Sequence, residues 1–253
     1  MNLKNMKANQ LSKNAFNMHT QMHNLFFVKE EQIQNAQILL TGPEFHHIKN
    51  VLRKRPGDTI YFTDGKGKRY HTVIEQILQN AMVIKILEEE LIPRQNPLKL
   101  YLGIAPLKGG RTDFIIEKGT ELGVSGFIFF LTQYSVVKNL TQPRLEHFKK
   151  IALAAMLQSQ QYYMPEVSFV DDIQKEFNKY DLIVVGDRTG KDKLQPGLQN
   201  ILLLIGPEGG FSPEEQKTYS SYNARFISFS PNRLRSETAA LAGIVNIYNY
   251  YNQ

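Results

Sequence analysis

The chain has 253 residues, enough for one large domain or two smaller ones, and 42% of them are hydrophobic, which allows a substantial core. It contains no cysteine, which excludes disulfides, thiolate metal sites and a cysteine nucleophile. No apolar run reaches the length of a membrane span and no signal-like segment begins the chain, so we expect a cytoplasmic location and no membrane partner. The formal net charge of +6 permits a polyanionic partner.

Residues 1–21 are rich in Asn, Lys and Gln and contain no acidic residue. Such a composition cannot bury much apolar surface, which predicts a flexible basic extension. Whether this extension also acts as a functional basic arm stays open.

Residues 22–92 contain short segments of alternating apolar and polar residues separated by turn signals. This pattern predicts a small β-barrel domain, with a short helix near residues 42–48. The predicted strands are Leu25–Val28, Gln37–Leu40, Thr59–Thr63, His71–Gln76 and Ala81–Leu87.

Basic residues are concentrated between residues 46 and 71, where the only acidic residues are Asp58 and Asp64. One interpretation is an ordinary solvated surface. The other is a surface that binds RNA phosphates, to which planar guanidinium groups are well suited. The candidate RNA-binding residues are Lys49, Arg53, Arg55, Lys66, Lys68 and Arg69. His46 and His47 are adjacent and point apart, so we predict no metal site there.

Residues 88–97 (EEELIPRQNP) break the strand periodicity, and we predict a linker at 93–97 followed by a second domain at 98–253. In this second part, strand-like and helix-like segments alternate, which predicts an α/β fold with a mainly parallel sheet. The predicted strands are Leu98–Ala105, Gly126–Leu131, Glu166–Val170, Asp181–Val185, Ile201–Ile205 and Arg225–Phe229, and the predicted helices are Lys108–Leu122, Pro143–Tyr163, one from Pro213 and one from about Arg235.

The stretch Ile201–Glu215 (ILLLIGPEGGFSPEE) predicts a buried strand, a glycine loop and a capped helix in succession. Ser212 is suited to the N-cap, and Glu215 has the spacing of a capping box. In parallel α/β sheets, ligands bind at the carboxyl ends of such strands. The loop contains Glu208 and no Lys, which disfavours a pyrophosphate ligand. A turn that only reverses the chain is the alternative.

A second marked stretch, FSPNRLRSETAA, occupies residues 229–240. GPEGGFSPEE followed by LRSETAA closely resembles the paired signatures of the SPOUT-class 16S rRNA uracil-N3 methyltransferases (the RsmE type). The resemblance extends less strictly from Met22 through most of the chain. It implies a PUA-like N-terminal barrel that binds RNA and a trefoil-knotted C-terminal domain that binds S-adenosylmethionine. It also implies a homodimer that acts on 16S rRNA in the 30S subunit or a late precursor.

Methylation of uracil N3 requires removal of a proton and stabilisation of the resulting negative charge. Arg235 is the candidate for stabilising the N3 anion, and Glu237 is the candidate for accepting or relaying the proton. Without the resemblance, these two residues read equally well as an exposed pair at a helix start. The candidate cofactor-binding residues, matched to the family motifs, are Leu204, Gly206, Gly209, Gly210, Leu234, Thr238 and Ala239. This chemistry requires no metal.

Three positions depart from the family pattern. Gly110 stands where an acidic residue is usual in LKGDR, while Leu157 and Gln161 replace the Glu and Arg of EQSGR. Two alternative functions stay open: a related SPOUT methyltransferase that modifies another RNA atom, such as a ribose 2′-hydroxyl, and a catalytically silent RNA-binding factor in ribosome assembly.

Overall fold

The computed structural model describes residues 24–252, which fall into two units. Unit 1 comprises residues 24–64 and 68–91, and unit 2 comprises residues 65–67 and 92–252. The predicted basic extension, residues 1–21, lies outside the described residues. Within them, every helix is too short or too polar to cross a membrane.

Unit 1 is built on a mixed six-stranded sheet. Its strands are β1 (Leu25–Phe27), β2 (Ile33–Gln34), β3 (Gln37–Thr41), β4 (Thr59–Thr63), β5 (Lys68–Ile77) and β6 (Ala81–Leu91). Their order across the sheet is β1-β4-β5-β6-β3-β2, with β1 and β4 parallel and the other neighbours antiparallel. Along β3, Ile38 and Leu40 are buried and their neighbours are exposed, as the period of two predicts.

A short helix, α1 (Gly42–His46), follows β3 and continues into a π-helical turn, His47–Val51. It buries Phe45 and Ile48 against the core of the sheet. Phe45 and Ile48 are therefore structural, whereas Val51 is exposed and the basic residues nearby remain at the surface.

The acidic residues expected near the linker belong to the sheet instead. β6 runs to Leu91, four residues beyond the end of the predicted strand. Glu89 and Glu90 lie opposite Tyr70 and Arg69 of β5. The prediction was wrong for these residues because contacts across the strands with the basic side chains of Lys68 and Arg69 stabilise acidic residues that have low strand propensity.

Unit 2 contains a parallel six-stranded sheet covered by helices, which confirms the predicted α/β class. Its strands are β7 (Lys99–Ile104), β8 (Gly126–Phe129), β9 (Glu166–Phe169), β10 (Leu182–Gly186), β11 (Asn200–Ile205) and β12 (Arg225–Ile227). Its helices are α2 (Arg111–Glu121), α3 (Gln142–Gln158), α4 (Pro213–Ser221) and α5 (Ser236–Tyr251). The strand order is β12-β10-β11-β7-β8-β9. The trefoil knot stays a prediction, since strand order and pairing do not define threading.

β11 lies between β10 and β7, and both of its faces are covered. Leu203 and Ile205 pack with residues of α2, α3 and α5, whereas Leu202 and Leu204 pack with Phe211 and residues of α4. This double burial explains the continuous apolar run. The chain direction across the sheet also reverses here, because β7 to β9 progress to one side and β10 lies on the other. Ligand crevices form at such reversals.

The helix α3 ends at Gln158, five residues before the predicted end at Tyr163. Gln160 adopts a left-handed conformation (φ +54°), and the backbone N–H of Gln161 donates to the carbonyl of Met156 at 2.9 Å. This is the wrapped helix end in which glycine is usual, so periodicity alone did not indicate it. The side-chain amide of Gln161 donates to the carbonyl of Thr120 at 2.6 Å, which gives this departure from the family pattern a structural role at the end of α2.

Candidate functional site

A cavity of about 650 Å³ opens at the carboxyl edge of the parallel sheet in unit 2. The segments that follow β10, β11 and β12 form its walls, together with the first turn of α5. Apolar side chains line it at Ile205, Phe229 and Ala239, and the glycine loop contributes backbone groups. The two stretches marked in the sequence therefore meet in one crevice, as expected from the topology.

The glycine loop is shaped by two different constraints. At Gly206, an added Cβ would lie 3.0 Å from the carbonyl carbon of Gly210, so the loop folds back on itself too closely for a side chain. At Gly210, nothing lies within 4 Å of an added Cβ, but φ is +72° and its N–H donates to the carbonyl of Pro207 at 2.9 Å. Gly210 is therefore required by backbone conformation rather than by lack of space in the loop itself.

The helix after the glycine loop begins as predicted. The hydroxyl of Ser212 accepts a hydrogen bond from the backbone N–H of Glu215 at 3.2 Å, and the Glu215 carboxylate accepts from the backbone N–H of Ser212 at 2.7 Å. The same carboxylate also accepts from the backbone N–H of Gln133 at 2.9 Å. Glu215 therefore fixes the loop to α4 and to the segment after β8.

Arg235 and Glu237 occupy different environments at the start of α5. Arg235 is the N-cap residue, lines the cavity, is exposed and makes no side-chain capping bond. The Glu237 side chain is only 14% exposed, and its Oε2 is covered and has no hydrogen-bond partner among residues 24–252. The interpretation of both residues as an exposed pair is therefore wrong for Glu237, whose side chain turns towards α2.

Arg111, the first residue of α2, connects the two marked stretches. Its Nη2 lies 2.5 Å from Oε1 of Glu208 in the glycine loop, and its Nη1 lies 4.0 Å from Oε2 of Glu237. Its Nε also donates to the carbonyl of Lys108 at 3.0 Å, which orients the guanidinium. The sequence analysis did not select Arg111 as a site residue. Its only signal was the segment LKGGR, which resembles a family motif.

Most of the other predicted cofactor residues border the cavity. Gly206, Gly209, Gly210, Leu234 and Ala239 line it. Leu204 and Thr238 are not among the lining residues: the Leu204 side chain is fully buried in the core that contains Phe211, and Thr238 is exposed on α5. Any contact between Leu204 and a ligand would therefore involve its backbone.

The candidate RNA-binding residues of unit 1 are partly engaged with acidic neighbours. Nζ of Lys68 lies 2.6 Å from Oε1 of Glu89, and Nη2 of Arg69 lies 2.5 Å from Oε2 of Glu90. The sequence analysis considered only the acidic residues within 46–71 and omitted these carboxylates, because they approach only through β5–β6 pairing. The surface is therefore less positive than the sequence indicated.

The remaining basic candidates are at the surface. Arg53 and Arg55 are exposed, and Nζ of Lys49 lies 5.1 Å from the ring centroid of Phe45. Lys66 is exposed and belongs to the short segment 65–67 of unit 2. Within residues 24–252, there is no group of three or more His, Asp or Glu side chains placed to hold a metal ion.

Comparison with known proteins identifies a family for each of the two parts of the chain. Residues 94–247 match the family described as an RNA methyltransferase domain, and residues 40–87 match the RNA methyltransferase PUA domain. The ribosomal RNA small subunit methyltransferase E of Bacillus subtilis is 29% identical over 230 residues, which cover 84% of this chain and 90% of that protein.

Two solved structures are also similar over nearly the whole chain. A probable rRNA methyltransferase from Porphyromonas gingivalis has a TM-score of 0.79 and 27% identity, covering 90% of this chain and 98% of its own. A ribosomal RNA small subunit methyltransferase E from Neisseria gonorrhoeae, bound to S-adenosyl methionine, has a TM-score of 0.79, 25% identity and the same coverage. Since the domain match spans more than half of its residues, the chain belongs to the RNA methyltransferase family and carries that family's PUA domain.

Proposed function

We propose that this enzyme transfers a methyl group from S-adenosylmethionine to the N3 atom of a uridine in 16S rRNA. The observation that carries the proposal is the cavity at the carboxyl edge of the sheet, which is bounded by both marked stretches. Relatives named as ribosomal RNA small subunit methyltransferases, one of them bound to S-adenosyl methionine, support the same activity.

The cavity suits S-adenosylmethionine in size and chemistry. Its volume of about 650 Å³ lies in the range of small-molecule sites, and the apolar side chains of Ile205, Phe229 and Ala239 suit an adenine ring. The open space beside Gly210 lets a ligand approach the loop backbone, which offers hydrogen-bonding groups. When bound, S-adenosylmethionine supplies an electrophilic methyl carbon on a sulfonium. The residues proposed to hold it are Gly206, Gly209, Gly210, Leu234 and Ala239, which line the cavity. Leu204 can contribute only its backbone, and Thr238 lies outside the lining.

The chain's own residues prepare the uracil. Its N3 proton lies on the pairing edge, so the base must be unpaired when it enters the site. Glu237 takes the N3 proton, and Arg235 places its guanidinium against the negative charge that develops on the base. Because Oε2 of Glu237 is covered, the proton is taken by Oε1 or after rotation of the carboxylate. Holding the reacting atoms in line supplies much of the remaining rate enhancement.

Arg111 acts as a positioning residue in this scheme, because it fixes the glycine loop through Glu208 and faces the buried oxygen of Glu237. Arg111→Ala is expected to lower kcat about ten- to a hundredfold, since charge-assisted bonds contribute about 1.5–3 kcal/mol. Arg111→Lys should restore only part of kcat, because lysine keeps the positive charge but lacks the planar guanidinium that makes two parallel hydrogen bonds. Steady-state assays of methyl transfer measure kcat for both variants, and Lys118→Ala, on the same helix, is the control. An unchanged kcat in Arg111→Ala would remove this role.

The proposed partners follow from the resemblance, and the proposed location follows from the sequence. The substrate is the 30S subunit or a late precursor, the enzyme is a homodimer, and the reaction takes place in the cytoplasm. The division into an RNA-binding domain at 22–92, a linker at 93–97 and a catalytic domain at 98–253 stays a prediction. In unit 1, the exposed residues Arg53 and Arg55 are the best placed of the candidates to contact RNA phosphates.

Nucleoside analysis tests the proposed function directly. Small ribosomal subunits from a strain lacking this modification are incubated with the purified protein and labelled S-adenosylmethionine, and the digested rRNA is examined by mass spectrometry. We expect 3-methyluridine. A labelled 2′-O-methylnucleoside would instead identify a related methyltransferase acting on ribose, and the absence of label would favour a silent assembly factor.

A further inference from the structure

The rim of the cavity carries three exposed arginines from different parts of the chain. Arg188 follows β10, Arg233 follows β12, and Arg235 is the N-cap of α5. None of the three forms an ion pair with a carboxylate anywhere in the described residues 24–252. Three cations brought together at one opening, none of them in an ion pair, form a surface that attracts anions.

The carboxylates of the cavity do not neutralise this rim. Oδ1 of Asp187 accepts hydrogen bonds from the backbone N–H and the hydroxyl of Thr189, at 2.7 and 2.6 Å. Glu208 is paired with Arg111. Asp187 keeps its negative charge, but it is the one carboxylate of this lining without an ion pair among residues 24–252, and the three arginines outnumber it, so the rim stays positive.

The turn that carries Arg188 is ordered by contacts with β12. The backbone N–H of Asp187 donates to the carbonyl of Ile227 at 3.0 Å, and the carboxylate of Asp192 accepts from the backbone N–H of Phe226 at 2.8 Å. An added Cβ at Gly190 would lie 2.4 Å from the backbone of Phe226, so the turn lies flat against the strand. An arginine presented from such a turn loses little backbone entropy when it binds a ligand.

The segment that carries Arg233 is fixed by short-range bonds. The hydroxyl of Ser228 donates to the carbonyl of Ser230 at 2.9 Å, and the backbone N–H of Asn232 donates to the hydroxyl of Ser230 at 3.1 Å. Arg233 is thus displayed at the rim by a turn that holds its own shape.

We propose that Arg188 and Arg233 bind two phosphates of the RNA backbone beside the target uridine, so that the strand crosses the mouth of the cavity. This inference rests on the proposed function, because it assigns RNA as the polyanion. S-adenosylmethionine offers one carboxylate together with a cationic sulfonium and ammonium, which does not account for three arginines. Arginine is well suited to this role because its planar fork matches phosphate oxygens. In this arrangement Arg235 contacts the uracil base, whereas Arg188 and Arg233 position the RNA strand.

The test is RNA binding by an Arg188→Ala/Arg233→Ala double variant. Affinity for a labelled uridylate dodecamer is measured by fluorescence anisotropy across a salt series. We expect affinity to fall roughly tenfold or more and the salt slope to decrease by about 1–2, as for the loss of two phosphate contacts. Affinity for S-adenosylmethionine, measured by calorimetry, should be unchanged. A Lys193→Ala/Lys217→Ala variant removes the same charge from exposed positions outside the cavity lining and is the matched control.

The outcomes separate the two proposals. An unchanged salt slope, or a loss equal to that of the lysine control, would overturn the phosphate assignment while 3-methyluridine formation by the wild type upholds the function. A loss of S-adenosylmethionine affinity with unchanged RNA binding would assign the rim to the cofactor and also overturn the proposal. Wild-type protein that forms no methylated nucleoside, with RNA binding still lost in the double variant, would leave the rim as an RNA site on a protein of another function.

Discussion

Arg235→Ala is expected to lower the single-turnover rate of methyl transfer by about 10²–10³, which is typical for loss of a donor that stabilises transition-state charge. The side chain is exposed and makes no capping bond, so its removal should change the free energy of unfolding by only about 0–1 kcal/mol. Affinity for S-adenosylmethionine should also stay near the wild-type value. The rate is measured with saturating enzyme and small ribosomal subunits.

Two comparisons make the Arg235 result specific. Arg235→Lys should show an intermediate rate, because the charge is kept and the planar fork is lost. Lys217→Ala, at an exposed position on α4, should methylate at the wild-type rate. A near wild-type rate in Arg235→Ala, or a large drop in its melting temperature, would exclude the proposed role.

Glu237→Gln is expected to lower the methyl-transfer rate by about 10²–10⁴, the range for loss of a general base. Glutamine matches the size of glutamate, so the packing beside Arg111 should survive. The residual rate should rise with pH, because hydroxide then removes the N3 proton in place of the carboxylate. The pH dependence of the single-turnover rate measures this change, together with the melting temperature as a control for folding.

Glu214→Gln is the matched control for this variant. Glu214 also lies in the first turn of a helix, α4, but it is exposed, whereas Glu237 is largely buried beside Arg111, so the loss of Glu214 should leave the rate unchanged. If Glu237→Gln methylates at the wild-type rate, or if its residual rate does not depend on pH, another group takes the proton.

The sequence predicted the elements that depend on neighbouring residues. The run Ile201–Ile205 identified the buried central strand, because only a strand covered on both faces is apolar at every position. Ser212 and Glu215 identified the start of α4, because a capping box is closed within one helical turn. Because the strands are parallel, their order along the chain also placed the two marked stretches at one edge of the sheet.

Local sequence patterns were less reliable at the ends of helices and in loops, where the backbone conformation decides the structure. α3 appeared longer in the sequence because residues 159–163 are compatible with a helix, and only the left-handed Gln160 ends it. At Gly210, the sequence indicated a glycine loop but not the reason for the glycine. Only the folded loop shows that its backbone angle, and not a lack of space, requires glycine there.

What the sequence by itself determined is the α/β class, the small β-rich unit before it and the two motifs that form the cavity. Tertiary structure alone decided the electrostatics: Arg111 reaches Glu208 and Glu237, and the acidic residues of β6 engage Lys68 and Arg69. The physical reason is range. Hydrophobic periodicity and capping act within a few residues, whereas charges interact through space between segments that only folding brings within a few ångströms.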